Sequence, residues 1–478
     1  MGEPILNQTY EYDLLCIGSG PAGQRAAVQA AKLRKRVAVV ERGTEVGGVC
    51  LHTGTVPSKT FREAVLSFSS ERHGTPYGTL PGGGRRLASA ERPTAAALLS
   101  RVGAIVHTEA RVQQDQLERN GIDILGGTAS LTGPHSVMVR GPLGGQREFT
   151  AENIVIAVGT RPRHTVDMPE GTPCVITSDE VLGLTELPRS LVVIGCGVIG
   201  VEYASMFAAL GVEVTVVDGR ERPLEMLDGE ILVELVHQMR EARVTFRLGE
   251  SVASIEHLEG PPSQARLHLE SGKRLVTDLV LACTGRVGAS DILDLDKAGV
   301  ATDERGRIVV GTDYRSSVPN IFAAGDIIGF PSLAATSSEQ GRLAACHAFG
   351  VPAEPMPDHF PIGIYSVPEI SMVGETESAL TRAKVPYETG IARYREIARG
   401  QILGDDSGML KLIFHAESHK LLGVHIIGSG ATELVHIGQA VVGMGGGIDY
   451  FLTTVFNYPT LAECYKVAAL DAWNKIRV

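Results

Sequence analysis

The pattern of apolar and polar positions occurs twice along the chain in the same form. In residues 12–41 the short apolar run YDLLCIG precedes a glycine turn, an alanine-rich stretch and a second apolar run, RVAVV. Residues 190–218 repeat this order. Short apolar runs are typical of buried strands, and the longer alanine-rich stretch favours a helix. Each repeat therefore predicts a strand–helix–strand unit of an α/β protein with parallel sheets.

The glycine turns have the spacing GxGxxG. They contain Gly18, Gly20 and Gly23 in the first repeat and Gly195, Gly197 and Gly200 in the second. In such turns the first glycine permits the bend, the second lets the backbone approach a pyrophosphate, and the third packs the helix closely. An acid, Glu41 or Asp218, ends each second strand and is placed to bind ribose. The repeats predict two dinucleotide sites.

Further elements follow from the same kind of pattern. The apolar run NIFAA leads to Gly325 and Asp326, and a helix is expected to begin near Ala335. Farther on, MLKLIFH and LLGVHII predict strands, and helices are expected at 432–442 and 461–476. Residues 71–93 are rich in glycine, proline and arginine without periodicity, which predicts an exposed, partly disordered insertion loop. Recruitment of nucleotides by its arginines is an alternative role.

Charge and composition exclude several classes of partner. The net charge of −11 argues against nucleic acids and anionic membranes, and no apolar run approaches the length of a membrane span. The start, MGEPILNQTYEYD, is polar and acidic, unlike a signal peptide, so a cytoplasmic protein is expected. The seven cysteines form no CxxC pair, which supports neither a metal site nor a disulfide scaffold.

These segments, in this order, resemble the flavoprotein disulfide reductases, the family of glutathione reductase and lipoamide dehydrogenase. IAVGTRP at 156–162 and ACTGR at 282–286 resemble the family's two chain crossovers. The resemblance implies two Rossmann-like domains, for FAD and for NAD(P), and a C-terminal α+β dimerisation domain. The expected boundaries are 1–162 and 287–356 for the FAD domain, 163–286 for the NAD(P) domain and 357–478 for the interface domain. A homodimer or a higher homo-oligomer is implied.

The resemblance also implies site residues. For FAD these are Gly18, Gly20, Gly23, Glu41, Arg42, Gly47, Gly48, Val49, Cys50, Lys59, Ala129, Gly159 and Asp326. For NAD(P) they are Gly195, Gly197, Gly200, Glu202, Asp218, Arg220, Arg222 and Gly285. Lys59 and Glu202 match the family's charged pair beside the flavin, which holds a positive charge near the atom that receives hydride and so stabilises the reduced cofactor. A surface ion pair of little consequence is the alternative.

Both positions that handle thiols in the family are changed. The family has two cysteines at the positions of Cys50 and Thr55, and the second accepts electrons from the flavin. A threonine hydroxyl has no disulfide state, so Thr55 cannot do so. The family's catalytic histidine is replaced by Tyr458, a poor base at neutral pH, while the orienting Glu463 remains. Disulfide reduction is therefore excluded.

The expected activity follows from what remains. The chain is most similar to the branch of the family without a redox disulfide, in which hydride passes from NADPH through the flavin to NAD, with Si specificity. Reduction of a quinone or another diffusible acceptor is an alternative, and so is a flavin-bound partner protein without turnover. Asp218 favours NAD, whereas Arg220 and Arg222 lie within reach of a 2′-phosphate. Two solvated arginines beside Glu221 are the alternative.

Overall fold

The computed structural model describes residues 10–72, 93–163, 172–260 and 262–477. The insertion expected at 71–93 therefore lies, apart from its ends, outside the described residues. The chain divides into two compact units. The first comprises residues 1–60, 100–163 and 285–356, and the second comprises residues 61–99, 164–284 and 357–478.

The strands and helices are numbered in chain order. The strands are β1 (Tyr12–Ile17), β2 (Val37–Glu41), β3 (Asp123–Gly126), β4 (Thr128–Gly133), β5 (Ser136–Arg140), β6 (Gln146–Ile156), β7 (Thr160–Pro162), β8 (Val175–Thr177), β9 (Ser190–Ile194), β10 (Glu213–Asp218), β11 (Thr245–Leu248), β12 (Val252–Leu258), β13 (Gln264–Leu269), β14 (Arg274–Thr277), β15 (Leu279–Ala282), β16 (Arg286–Gly288), β17 (Ile321–Ala323), β18 (Ile362–Ile364), β19 (Ile370–Gly374), β20 (Tyr387–Arg393), β21 (Met409–His415) and β22 (Leu421–Ile427). The helices are α1 (Pro21–Lys32), α2 (Gly48–His52), α3 (Thr55–Arg72), α4 (Ala95–Arg119), α5 (Val198–Ala209), α6 (Gly229–Glu241), α7 (Ala334–Ala348), α8 (Glu377–Ala383), α9 (Ala398–Leu403), α10 (Ala431–Gly443), α11 (Ile448–Thr453) and α12 (Glu463–Ile476).

The first unit is built on a sheet with the strand order β3-β2-β1-β6-β5-β4, and β17 pairs with β6. Strands β1, β2, β3 and β17 pair in parallel, and the first half of β6 forms an antiparallel meander with β5 and β4. Alternate residues of β1 face opposite sides of the sheet. Leu14 and Cys16 pack towards α1, and Leu15 and Ile17 pack towards the meander. The first glycine turn directly follows β1, and the end of β2 lies beside it.

Helices α1 and α7 pack closely in the first unit because the contact uses small residues. A Cβ atom on Gly341 of α7 would lie 2.0 Å from the carbonyl oxygen of Ala22 in α1. This contact holds the start of α7, which begins at Ala334 as expected from the sequence, near the glycine turn. Strands β7 and β16 form a separate antiparallel pair in the same unit.

The nucleotide-binding part of the second unit repeats the plan of the first. Its parallel sheet has the order β11-β10-β9-β15-β8, and β12, β13 and β14 form an antiparallel meander. A buried cluster between the sheet and the meander includes Val192, Val217 and Leu267. The predicted duplication of strand, turn, helix and strand is therefore confirmed.

The C-terminal part of the second unit has an antiparallel sheet of order β18-β19-β22-β21-β20. Helices α10 and α12 cover it, and the core between them includes Phe414, Val424, Phe451 and Tyr465. The predicted strands MLKLIFH and LLGVHII correspond to β21 and β22, and the two predicted helices correspond to α10 and α12. The predicted α/β class with a C-terminal α+β region is confirmed.

Candidate functional site

The first glycine turn is closed on one side and open on the other. Gly18 has φ +102°, and a Cβ there would lie 2.5 Å from the carbonyl oxygen of Ala157. A Cβ on Gly23 would lie 1.9 Å from the carbonyl oxygen of Gly18, so α1 packs directly against the turn. Gly20, the N-cap of α1, has no heavy atom within 4 Å of its Cβ position. The unpaired amides at the start of α1 therefore face a space that can hold a phosphate.

Glu41 is held in place by uncharged donors. It ends β2 and is 8% exposed. Its Oε2 accepts hydrogen bonds from the amide and hydroxyl of Ser19, and its Oε1 accepts one from the Gly43 amide at 2.7 Å. The Ser19 hydroxyl in turn accepts a hydrogen bond from the Gly47 amide at 2.8 Å. The acid is thus fixed beside the turn with its negative charge uncompensated by these partners.

The segment that carries the cysteine lies against the same turn. Gly47 and Gly48 have φ of +128° and +60°, and a Cβ on Gly48 would lie 3.0 Å from the Gly20 Cα. Helix α2 begins at Gly48 and contains Val49 and Cys50. The Thr55 side chain interacts with the Cys50 thiol and opposes the rise in its pKa that burial causes. Thr55 and Cys50 therefore share one environment in the first unit.

The environment of Cys50 keeps it as a thiol. Its burial raises its pKa, the Thr55 side chain and the charge of Lys59 oppose the rise, and Asp326 adds to it. Burial also raises the pKa of Asp326, whose Oδ1 accepts a hydrogen bond from Ser337 at 3.4 Å. These charges show that Cys50, Thr55, Lys59 and Asp326 share one electrostatic environment in the first unit.

The remaining residues predicted for FAD also lie in the first unit. Lys59 is half-buried in α3 and donates a hydrogen bond to the Ser58 hydroxyl at 3.2 Å. Ala129 is buried in β4, whereas Arg42 is exposed directly after β2. Gly159, with φ +66°, has open space at its Cβ position.

The second glycine turn has the geometry of the first. Gly195 has φ +100°, and its Cβ would lie 2.4 Å from the carbonyl oxygen of Cys283. A Cβ on Gly200 would lie 2.0 Å from the carbonyl oxygen of Gly195. Gly197, the N-cap of α5, has no heavy atom within 4 Å of its Cβ position. This turn therefore presents the same open helix terminus to a second ligand.

One of the hydrogen-bond donors to Asp218 is a charged side chain, whereas the donors to Glu41 are uncharged. Its Oδ2 accepts a hydrogen bond from the Cys196 amide at 2.6 Å. Arg220 grips both carboxylate oxygens, with Nε 3.0 Å from Oδ1 and Nη2 2.7 Å from Oδ2, and its amide donates to Oδ1 at 2.8 Å. Burial alone raises the pKa of Asp218, but the bonds from Arg220 and Cys196 lower it to about 2. The acid is ionised and already paired.

The other residues predicted for NAD(P) are placed as follows. Glu202 in α5 is 3% exposed, and its Oε1 accepts a hydrogen bond from the Tyr365 amide at 2.8 Å. Arg222 is exposed in the connection between β10 and α6. Gly285 has φ +103° and open space at its Cβ position, and it belongs to the first unit, at the edge of the division.

Tyr458 and Glu463 lie in the C-terminal part of the second unit. The Tyr458 side chain is 68% exposed, as expected for a residue outside the core. Glu463 begins α12, and its Oε2 is buried without a hydrogen-bond partner within the described part of the chain.

Sequence reasoning missed the residues that hold the two acids. Ser19 and Cys196 stand between the first and second glycines of their turns, and each binds the acid with its amide, to which Ser19 adds its hydroxyl. The sequences GSG and GCG contain a signal, since both middle residues carry a donor. Lys411 was also missed, although a single lysine inside the apolar strand MLKLIFH indicates an unusual buried cation.

The donors of the two turns fit dinucleotides and give no support to a metal. Open space at Gly20 and Gly197, bare helix termini and fixed acids are what a pyrophosphate and a ribose require. Across the described ranges, no cluster of three or more histidine, cysteine or acidic side chains could hold a metal ion. Within the same ranges, no helix has the length and apolarity that crossing a membrane requires.

Two such turns, each on its own parallel sheet, define a protein that binds two dinucleotides. Residues 12–341 match the family described as pyridine nucleotide-disulphide oxidoreductase, and residues 360–469 match that family's dimerisation domain. The chain belongs to the pyridine nucleotide-disulphide oxidoreductase family. The resemblance seen in the sequence is therefore confirmed.

Relatives and solved structures agree with this assignment. The chain is 49% identical to the soluble pyridine nucleotide transhydrogenase of Mycobacterium tuberculosis strain ATCC 25177 / H37Ra, over 98% of both chains. It is 42% identical to the protein of the same name from Hahella chejuensis, over 98% of this chain and 99% of the relative. The solved HOCl-induced flavoprotein disulfide reductase RclA from Escherichia coli has a TM-score of 0.86 and 26% identity, covering 96% of this chain and 99% of RclA.

Proposed function

We propose that the protein is an FAD-dependent transhydrogenase that catalyses NADPH + NAD⁺ → NADP⁺ + NADH. Its two open glycine turns support one resident and one exchanging dinucleotide. Relatives at 49% and 42% identity carry the name soluble pyridine nucleotide transhydrogenase. When bound, FAD would accept hydride from one nicotinamide nucleotide and give it to another.

The observation that carries this proposal is Thr55, whose side chain interacts with the Cys50 thiol and stands where the resemblance implies the family's second cysteine. A thiol beside a hydroxyl cannot form a disulfide, so this chain has no dithiol there to take electrons from the cofactor. All seven cysteines are free. Electrons that enter as hydride therefore have no sulfur pair to reduce at this site. The acceptor is then a second nicotinamide nucleotide, which the glycine turns can bind.

The chain's own residues have separate tasks in this scheme. The N-termini of α1 and α5 bind the pyrophosphates, and Glu41 and Asp218 bind the adenosine riboses. Asp326 is proposed to bind the sugar chain of FAD. Lys59 supplies positive charge near the cofactor, and Glu202 is proposed as the family's acidic partner for this lysine.

The proposed exchange of NADPH for NAD requires one site to accept both nucleotides. Asp218 suits a free ribose 2′-hydroxyl, and Arg220 and Arg222 suit a 2′-phosphate. The bidentate pair between Arg220 and Asp218 supports this proposal because it offsets the negative charge that would otherwise repel the phosphate. We assign the two arginines and the acid jointly to nucleotide selection.

The proposal includes a homodimer in the cytoplasm. The segment that matches the dimerisation domain exposes large apolar side chains, which a partner copy would cover. They include Met444 (76% exposed), Tyr450 (43%), Val455 (90%) and Tyr458 (68%). Light scattering at micromolar concentration should give about twice the chain mass of 50.8 kDa.

The deciding experiment compares acceptors for the same donor. The FAD-loaded protein is supplied with NADPH and either thio-NAD or a water-soluble quinone, and initial rates are measured. Faster reduction of thio-NAD is expected, and NADPH deuterated at the pro-S position should give NADP⁺ without deuterium if the Si specificity is right. A quinone rate that greatly exceeds the thio-NAD rate would replace this proposal by an NAD(P)H dehydrogenase. No transfer to either would leave a flavin-bound protein without turnover.

A further inference from the structure

A buried lysine joins the dimerisation segment to the nucleotide-binding part of the second unit. Lys411 lies in β21 and is 0% exposed. Its neighbours on both sides along the strand are apolar and buried. A lysine in such a place needs specific partners, because a buried unpaired ammonium is strongly disfavoured.

The partners of Lys411 are three carboxylates that meet at the ammonium. Its Nζ lies 2.8 Å from Asp228 Oδ1, 2.6 Å from Glu230 Oε2 and 3.1 Å from Glu377 Oε1. Asp228 is 1% exposed and caps α6 by accepting a hydrogen bond from the Glu230 amide at 3.2 Å. Glu377 begins α8 in the dimerisation segment. One cation therefore holds together acids from two parts of the unit.

Lys411 is the source of positive charge in this cluster. His425 is also buried there, with Nε2 bound to the carbonyl oxygen of Glu375 at 2.9 Å. Burial lowers the pKa of His425, so the ring adds no positive charge at neutral pH. Removing the ammonium would leave Asp228 buried beside two other carboxylates, and their repulsion would push the start of α6 away from the sheet.

Asp228 is also the end of the segment that carries the nucleotide-selecting arginines. This connection, residues 219–228, leaves β10 directly after Asp218 and contains Arg220 and Arg222. Its start is fixed to the residues that directly follow β11, where the Gly249 amide donates to the carbonyl oxygen of Arg220 at 3.0 Å and the Glu250 amide to that of Asp218 at 3.1 Å. Its other end is fixed by the bond between Asp228 and Lys411.

The middle of the connection is shaped by burial rather than by regular hydrogen bonding. Leu224 has φ +42°, a left-handed conformation that a leucine rarely adopts, and is 1% exposed. Leu227 is 5% exposed, and its amide donates to the carbonyl oxygen of Leu224 at 2.9 Å. Such a conformation persists only where its surroundings determine it, so its far anchor should influence the position of the arginines.

We propose that Lys411 is a positioning residue that holds the connection 219–228 in the conformation that recognises the 2′-phosphate of NADP. This inference rests on the proposed function for the role of Arg220 and Arg222. It adds that nucleotide preference is set from the dimerisation segment, through a buried ionic joint to which no nucleotide needs to bind.

The test uses matched ligands that bind without reaction. Calorimetry on the FAD-loaded protein measures the affinities for 5′-AMP and for 2′,5′-ADP, which differ only by the 2′-phosphate. Lys411→Met should weaken 2′,5′-ADP at least about fivefold and 5′-AMP less than about twofold, because a displaced group loses its contact geometry. Lys411→Arg, which keeps the positive charge, should restore most of the lost affinity for 2′,5′-ADP.

Two further variants separate positioning from stability. Glu377→Gln removes the charge of one half-buried partner of Lys411. It should lower the affinity for 2′,5′-ADP relative to 5′-AMP about twofold. Val441→Ala, in the buried face of α10, should lower the melting temperature without changing the ratio. If Lys411→Met does not fold, Glu377→Gln alone decides the question.

The outcomes are distinct from those of the acceptor assay. An unchanged ratio in Lys411→Met and Glu377→Gln would overturn the inference even if transhydrogenation is found. Equal losses for both ligands, or the same ratio change in Val441→Ala, would reduce Lys411 to a purely structural residue. A selective loss of 2′,5′-ADP would support the inference even if the physiological acceptor proves to be a quinone.

Discussion

The two glycine turns of this protein share their backbone design and differ in the charge around their acids. In both turns the middle glycine is open and the outer two are tightly packed, and the residue between the first two glycines binds the terminal acid. Glu41 accepts hydrogen bonds from Ser19 and Gly43, whereas both carboxylate oxygens of Asp218 accept hydrogen bonds from the Arg220 guanidinium. The backbone therefore specifies that a dinucleotide binds, and the side chains around the acid specify which one.

This difference fits the two proposed roles. A resident cofactor needs only one recognition pattern, and an uncompensated acid suits ribose hydroxyls. A site that exchanges NADPH for NAD must not reject a 2′-phosphate. The ion pair at Asp218 reduces the repulsion, and it leaves a guanidinium next to the position of the phosphate. The two turns can therefore be tested with separate variants.

The largest effects are expected from filling the open middle of each turn. Among the described residues, no protein atom lies within 4 Å of a methyl group on Gly20 or Gly197, so both variants should fold normally. The methyl group would occupy the space of the pyrophosphate, and a displacement of about 1 Å can cost about a hundredfold. Gly20→Ala should purify largely without FAD. Gly197→Ala should keep its FAD, shown by its absorbance spectrum, and lose nucleotide oxidation about a hundredfold.

The packed glycines supply the control for this pair. At Gly23 and Gly200 a Cβ would lie within 2.0 Å of a carbonyl oxygen, so alanine there should lower stability by about 1–3 kcal/mol or more. Melting curves separate these variants from the middle-glycine variants. Loss of FAD from Gly197→Ala, with Gly20→Ala retaining it, would mean that the two turns have been assigned in the wrong order.

Intermediate effects are expected at the acids. Arg220→Ala removes an attraction for the 2′-phosphate and exposes the charge of Asp218, so it should weaken NADPH about tenfold and spare NADH. Combining it with Arg222→Ala should extend the loss, and Asp218→Ala should weaken NADH instead. Glu41→Gln in the first turn is the matched control and should affect FAD retention but not the NADPH to NADH ratio of kcat/KM.

Dependence on pH follows from the same ion pair. The pKa of Asp218 in the folded protein is about 2, below the ordinary value of 3.8, so the pair stabilises the fold at pH values above 3.8. This stabilisation is lost only as the pH falls from 3.8 towards 2. Asp218 should therefore add no pH dependence to the NADPH to NADH ratio between about pH 5 and 8, where the ratio should follow only the second ionisation of the 2′-phosphate, with a pKa of about 6. A change of the ratio with pH that departs from the titration of the 2′-phosphate would assign selection to another group.

Much of this comparison was visible in the sequence because it depends on local patterns. The repeated strand, glycine turn and helix predicted both sheets, and the positions of Glu41 and Asp218 followed from the ends of apolar runs. Helices α10 and α12 were predicted to within two residues. The missing cysteine was visible for the same reason, because Cys50 and Thr55 are close in the chain.

The parts that the sequence did not show depend on contacts between distant residues. The arginines were expected to be available to a phosphate, but local spacing could not show that Arg220 folds back on Asp218. Lys411 and Asp228 are separated by 183 residues, and only the packing of α6 on the C-terminal sheet brings them together. A periodic pattern predicts which face of a strand is buried, but it does not identify the partner of a buried charge.

The smallest effect is expected at Cys50, where the family's chemistry would require the largest. With Thr55 as its neighbour, Cys50 has no sulfur to pair with, and burial raises its pKa, which disfavours the reactive thiolate. Cys50→Ser should therefore cost less than about threefold in transhydrogenation, a loss that reflects altered contacts near the cofactor. Anaerobic titration with dithionite should consume about two electrons per FAD in the parent protein, in Cys50→Ser and in the control Thr55→Val, because a dithiol would be needed to take two more. Consumption of four electrons by the parent, or complete inactivation of Cys50→Ser, would show that another cysteine has taken the place of the missing one.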